Sequence, residues 1–207
     1  MKKQALFLSG TILLLSALSC KKNQDAAPDP QAQQKLQGTY KFINLTAHTQ
    51  SNVNESVGGV TSSTTALTDY TTTDNAGTIV ITADMMSATG LTYSVSTDVR
   101  GAAFLNGQFQ DSLNFPFDIT LPATTSSSKY KLIGSDSLYF SAGGFITSAS
   151  LPSGGTVPTT GSGGRFTFHA DTLILTSSVK QSITQTVQGA TIKSDDFATE
   201  TIRLKKQ

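Results

Sequence analysis

From Leu36 onward, apolar side chains tend to recur at every second position, the repeat of strands that bury one face and wet the other. The segments "GTYKFINLTAHT", "GTIVITA", "LTYSVSTDV", "SLNFPFDITL", "KYKLIG", "SLYFSA", "RFTFHA", "TLILTSSV", "QSITQTVQGATIK" and "TETIRLKK" read as strands, separated by Gly, Ser, Asn, Asp or Pro clusters. No stretch has a persuasive helical period. The pattern predicts an all-β domain over residues 36–207: an antiparallel meander closing as an up-and-down barrel of about 8–10 strands, or alternatively a β-sandwich.

The alternation also assigns faces. Tyr93, Val95 and Val99 share one side, as do Leu113, Phe115, Phe117 and Ile119, while Ser94, Ser96, Asn114 and Asp118 point the other way. Pro116 removes a ladder donor and predicts an edge or a bulge in its strand. "DSLNF" at Asp111, "DSLYF" at Asp136 and "DTLIL" at Asp171 repeat a pattern in which an aspartate caps a turn and the next Leu re-enters the core. Two stretches break the rhythm, "TQSNVNESVGGVTSSTTALTD" and residues 148–164, both rich in Gly, Ser and Thr; they read as long loops.

Ahead of this domain the pattern changes. Met1, Lys2 and Lys3 precede the apolar run "ALFLSGTILLLSAL", and Ser19 stands immediately before Cys20. That is the layout of a secretory signal peptide over residues 1–19, with an apolar core too short and interrupted to span a bilayer. Residues 20–35 hold two prolines and almost nothing to bury, so they read as a flexible tether.

Composition agrees with a polar-surfaced β protein. Charged residues make up 14% of the chain, and Ser plus Thr make up about a quarter. Without Lys2 and Lys3 the balance of 15 basic and 14 acidic residues becomes 13 to 14, a net charge of −1. Nothing in that balance provides the footprint of a nucleic-acid binder. Cys20 is the single cysteine, which excludes an internal disulfide and a cysteine-based metal site, and His48 and His169 lie far apart, so no metal and no cofactor are expected. No Gly-x-Ser-x-Gly elbow and no phosphate-binding glycine loop occurs. Asp69, Asp74, Asp195 and Asp196 read as turn formers and solvated charges, and the chain is not expected to be an enzyme.

"ALSC" at residues 17–20 resembles the bacterial lipoprotein box, which implies a lipidated Cys20 and a membrane held through acyl chains. "CKKNQD" is similar to the lysine-rich starts of Bacteroidetes lipoproteins, and Lys21 in place of the retention aspartate implies the outer membrane, with either face open. "LQGTYKFINLTAH", with Gly38 and Tyr40, resembles the Gly-x-Trp opening of lipocalins and of lipocalin-like lipoprotein domains. The resemblance implies a barrel that is packed solid or hollow enough for one small ligand, with Tyr40 inward at the closed end. Strict alternation would then turn Phe42, Asn44, Thr46 and His48 inward, His48 nearest the mouth; the opposite face, Ile43, Leu45 and Ala47, is equally apolar, and turning that face inward would leave His48 in solvent. The expected function is a lipid-anchored envelope protein that binds a small, mostly apolar ligand or acts as a scaffold. Its ligand-binding residues would be Tyr40, Phe42, His48, Tyr93, Val95, Phe115 and Phe117, with residues 154–164 near the site. The alternative is a surface adhesion or interaction module for envelope proteins or glycans.

The anchor has a direct check. Cys20→Ala is expected to leave the chain uncleaved or to release it from the membrane fraction, and attachment unchanged by the substitution would exclude lipidation at this residue.

Overall fold

The computed structural model describes residues 26–141, 161–187 and 189–207. The expected signal peptide, Cys20, the first part of the tether and most of the 148–164 stretch lie outside them. The described chain forms one helix, α1 (Pro30–Leu36), and nine strands: β1 (Gly38–Val57), β2 (Val60–Thr71), β3 (Thr73–Ile81), β4 (Met85–Leu105), β5 (Gln108–Ile133), β6 (Ser137–Phe140), β7 (Ser162–His169), β8 (Thr172–Val187) and β9 (Ala190–Lys206).

All pairings are antiparallel, and β9 returns to pair with β1, closing the meander into a ring. This is the barrel-like form of the all-β expectation rather than the sandwich. One flank of β1 is shared by two strands in succession: β3 pairs with Gly38 to Lys41 and β2 with Thr46 to Val57. The same two strands pair with successive parts of β4, so nine strands fill eight places.

Where β2 gives way to β3, the ladder to β1 is interrupted at Thr72, which is buried. There the backbone N–H of Thr72 donates to the Leu45 carbonyl at 2.9 Å, and the Leu45 N–H donates to Thr72 Oγ1 at 2.9 Å. Thr72 Oγ1 in turn donates to Asn75 Oδ1 at 2.6 Å, and Asn75 Nδ2 returns a bond to the Thr72 carbonyl at 2.9 Å. A side chain thus supplies the acceptor that a continuous strand would have supplied from its backbone.

On the other flank of β1, Phe42 faces Leu204 while Asn44 faces Arg203, so Ile43 is an extra residue, a β-bulge. The bulge reverses the phase of β1. Tyr40 and Phe42 point inward below it, and Leu45 and Ala47 point inward above it, all buried. The strict alternation expected through His48 is therefore broken at Ile43, and Asn44, Thr46 and His48 lie on the outer face.

The barrel has two unlike halves. The β3–β4, β5–β6 and β7–β8 turns gather at one end, where Tyr40, Phe42, Ile79, Met86, Leu132, Leu173 and Leu204 form a packed core. α1 closes this end, a correction to the tether reading of residues 30–35. Asp29 caps the helix by accepting from Gln31 N at 2.9 Å, Pro30 starts it, and Leu36 is fully buried. Tyr40 donates its hydroxyl to the Leu36 carbonyl at 2.7 Å, and Gln33 Nε2 reaches the Ala83 carbonyl at 3.0 Å.

The β1–β2, β4–β5 and β8–β9 turns project together from the opposite end. The first long stretch expected as a loop is in fact the β1–β2 hairpin, turning at Gly58 and Gly59, both at positive φ. In this upper half, β5 from 108 to 129 and β8 from 178 to 187 each pair on one side only among the described residues. Pro116 sits in that part of β5, in keeping with the expected edge position. No described helix is long and apolar enough to cross a membrane.

Thr72→Val keeps the shape of the side chain but strands the buried Leu45 N–H, and should cost about 1–3 kcal/mol in urea unfolding. Thr72→Ser, which keeps the hydroxyl, should lose clearly less.

Candidate functional site

Above the packed core the inner surface of the barrel changes character. On β4 and β5 it stays apolar: Val95 and Val99 face inward, paired with Ile119 and Phe115, and Leu113 and Phe117 extend the same face. Leu113 and Phe115 are 49% and 48% exposed although they point to the inside of the sheet. Phe117 is half-buried against the core. On β1, β2 and β9 the inner face is more polar, with Thr49, Thr68, Asp196 and Glu200.

Glu200 stands at the boundary between the two zones. It pairs with Ala47 of β1 and Ser177 of β8, and its same-face neighbours on β9, Ala198 and Ile202, are both buried. Burial pushes its carboxyl above the ordinary glutamate value. Tyr70 on β2, which pairs with Ala47, and Tyr93 on β4 lie within reach of its charge. Burial lifts the Tyr93 hydroxyl to about 12, with Glu200 adding to the rise. Tyr70 is raised as well, first by burial and then by the charges of Tyr93 and Glu200.

No hydrogen bond or ion pair to the Glu200 carboxylate or to the Tyr70 and Tyr93 hydroxyls is formed among the described residues. Among the described residues, every buried side-chain polar atom that is closed off from solvent has a partner. None of these three groups is therefore fully sealed from solvent, which can satisfy them. The floor below them is the Phe42–Tyr93 ring pair, with centroids 6.1 Å apart.

The residues expected from the sequence to bind a ligand fall into three places. Tyr40 and Phe42 are fully buried in the closed-end core, and Tyr40 spends its hydroxyl on the α1 carbonyl. Tyr93, Val95, Phe115 and Phe117 share the inner face, but Tyr93 and Val95 are buried members of the core cluster, Phe117 packs partly buried against it, and Phe115 is half exposed above. His48 does not join them: it is exposed on the outer face, with Nδ1 2.5 Å from Asp69 Oδ1. Arg100 Nη2 holds the other oxygen of Asp69 at 2.6 Å. The hydrogen bond with His48 leads in holding the Asp69 carboxyl below its ordinary value, and the charges of His48 and Arg100 add to it. This triad joins β1, β2 and β4 on the water side; among the described residues no hydroxyl is hydrogen-bonded to the His48 ring, and Thr97 Oγ1 donates to the Asp69 backbone carbonyl at 2.8 Å. The part of the 154–164 stretch up to residue 160 lies outside the described residues. Among those described, no three His, Cys, Asp or Glu side chains are grouped to hold a metal ion.

Sequence reasoning passed over Glu200 and Tyr70. The signal for Glu200 was present in "FATETIRL", where Ala198, Ile202 and Leu204 make one apolar face and a single carboxylate interrupts it. Tyr70 lay at the edge of a stretch whose Ser and Thr residues hid its alternation.

Glu200 gives the site a pH signature. A carboxyl whose folded value is raised above its unfolded value of 4.5 favours the fold fully below pH 4.5, and that contribution is lost as pH rises through the raised value. Glu200→Gln should therefore melt above the parent at pH 7, with the gap closing as pH falls below 4.5 in a thermal-melt series. The other inward groups around it, Thr49, Thr68, Tyr70, Tyr93 and Ser177, are not ionised in that range, and Asp196 further up β9 is present in both proteins. A gap independent of pH would place the Glu200 carboxyl in water.

Compared with protein-family models, with curated proteins and with solved structures, the chain matches none. The functional reading rests on the geometry and on the sequence patterns.

Proposed function

We propose that this chain is a lipid-anchored cell-envelope lipoprotein whose lipocalin-like β domain binds a small, mostly apolar molecule in the open upper half of its barrel. The observation that carries the reading is the inward row on β5: Leu113 and Phe115 are about half exposed inside the sheet rather than covered by a core. A ligand laid against this row would contact Val95, Val99 and Phe117, with Tyr93 beneath it.

The anchor proposed at Cys20 fits this use of the barrel. Ala26 accepts a backbone bond from Gly134 at the closed end, at 3.3 Å. Five residues separate Cys20 from Ala26, a reach of at most about 20 Å. The 20 residues of β1 rise about 66 Å along the strand. Lipidation at Cys20 would hold the closed end against the membrane, the outer membrane in this proposal, and aim the open end away from it.

A second reading, an adhesion or assembly module contacting envelope proteins or glycans, draws on the hairpin ends. Val57, Val60, Leu105, Phe109 and Val187 are exposed there at one end of the sheet.

Native mass spectrometry of the full chain, released gently from detergent, tests the first reading against the second. A defined extra mass that is retained by the folded protein and lost on denaturation is the expected result. A clean apo mass, with whole-cell cross-links from the hairpin ends to another protein, would favour the second.

A further inference from the structure

We infer that the interior site is selective for apolar ligands that carry a protonated amine, with Glu200 receiving the ammonium between Tyr70 and Tyr93. This names the ligand class for the interior-binding reading and rests on it. Three features of the molecule support the inference.

Glu200 is a half-buried carboxylate set between the buried Ala198 and Ile202 on β9, with no cation among the described residues bonded to it. No Lys, Arg or His among the described residues falls on the inner face above the core. Arg100, Lys180, Lys193 and Arg203 alternate to the outside, where Lys193 and Arg100 have acidic partners of their own. A carboxylate left this way is costly in the empty site, and a cationic head is the partner that offsets the cost.

The two groups nearest in charge terms are phenols rather than amides or bases. Their hydroxyls are unpaired and their rings present π faces, and tyrosine faces attract ammonium. A carboxylate ligand would instead meet the charge of Glu200 and the field of Asp196 and Glu55, which share its inner face on β9 and β1.

The third feature is position. Glu200 lies at the bottom of the open half, and the apolar row of Val99, Phe115 and Leu113 rises from the same level towards the mouth. A ligand with a cationic head and an apolar body would place the head at Glu200 and the body along β5.

The test uses three probes with one body and different heads: 4-phenylbutylamine, 4-phenylbutanol and 4-phenylbutanoate. Each is titrated into the full chain in neutral detergent at pH 7 and followed by tyrosine fluorescence, with calorimetry for affinity. The amine is expected to bind about tenfold more tightly than the alcohol, and the carboxylate more weakly than both. Glu200→Gln is expected to bring the amine to within about twofold of the alcohol and to leave the alcohol unchanged. Equal affinity for the three heads, or an amine preference that survives Glu200→Gln, would overturn the inference while leaving interior binding intact. Failure of all three probes to bind would overturn the interior-binding reading, and this inference with it.

Discussion

The backbone amide of Leu45 is the point on which the barrel turns. It lies where β2 has ended and β3 has not yet begun, and the Thr72 hydroxyl is its acceptor. Two residues away, the Ile43 bulge has already shifted the phase of β1 against β9. Between them these features let one 20-residue strand serve two different interiors. Below, it contributes Tyr40 and Phe42 to a dense core; above, it contributes Leu45 and Ala47, and through Ala47 it sets the level at which Tyr70 and Glu200 face the inside.

The two halves carry different shares of the stability. Each large apolar side chain fully buried at the closed end contributes about 1.5–3 kcal/mol relative to exposure, and α1 adds Leu36 to that set. In the upper half the hydrogen-bond ladders continue, but inward residues of β5 such as Leu113 and Phe115 are half exposed and two strand edges lack neighbours among the described residues. Local opening should begin there, in the region with fewest buried apolar contacts. The division resembles that of many binding proteins, with a rigid base holding a looser, accessible wall.

Glu200 sets the local folding pattern against the proposed use of the site. Its same-face neighbours on β9, Ala198 and Ile202, are buried and apolar, and the chain places a carboxylate between them. Such departures from local consistency tend to mark functional positions rather than errors of folding. The outer triad of His48, Asp69 and Arg100 is the opposite case. It is well paired and solvent-exposed, and as a surface network across three strands it has a complete structural explanation.

Much of this architecture was legible from the chain alone. Period-two alternation in "LTYSVSTDV" and "SLNFPFDITL" identified β4 and β5, their faces and the Pro116 edge, because an apolar core sorts side chains by parity. Asp136 and Asp171 were read correctly as turn residues, each accepting from the hydroxyl that follows it, whereas Asp111 of the same pattern lies within β5 and Leu113 after it is half exposed. Two things were not legible. A bulge leaves no compositional mark, so two equally apolar faces of β1, one carrying His48 and one carrying Leu45 and Ala47, could not be told apart by counting. Ser and Thr suit both wet strand and loop, so the β1–β2 hairpin passed for a loop. By itself, the sequence determined that the domain is all-β and which residues on each strand travel together, since these follow from local periodicity. Only the tertiary structure decided which side of β1 faces in and that Glu200, Tyr70 and Tyr93 meet, because those depend on the register between strands distant in the chain.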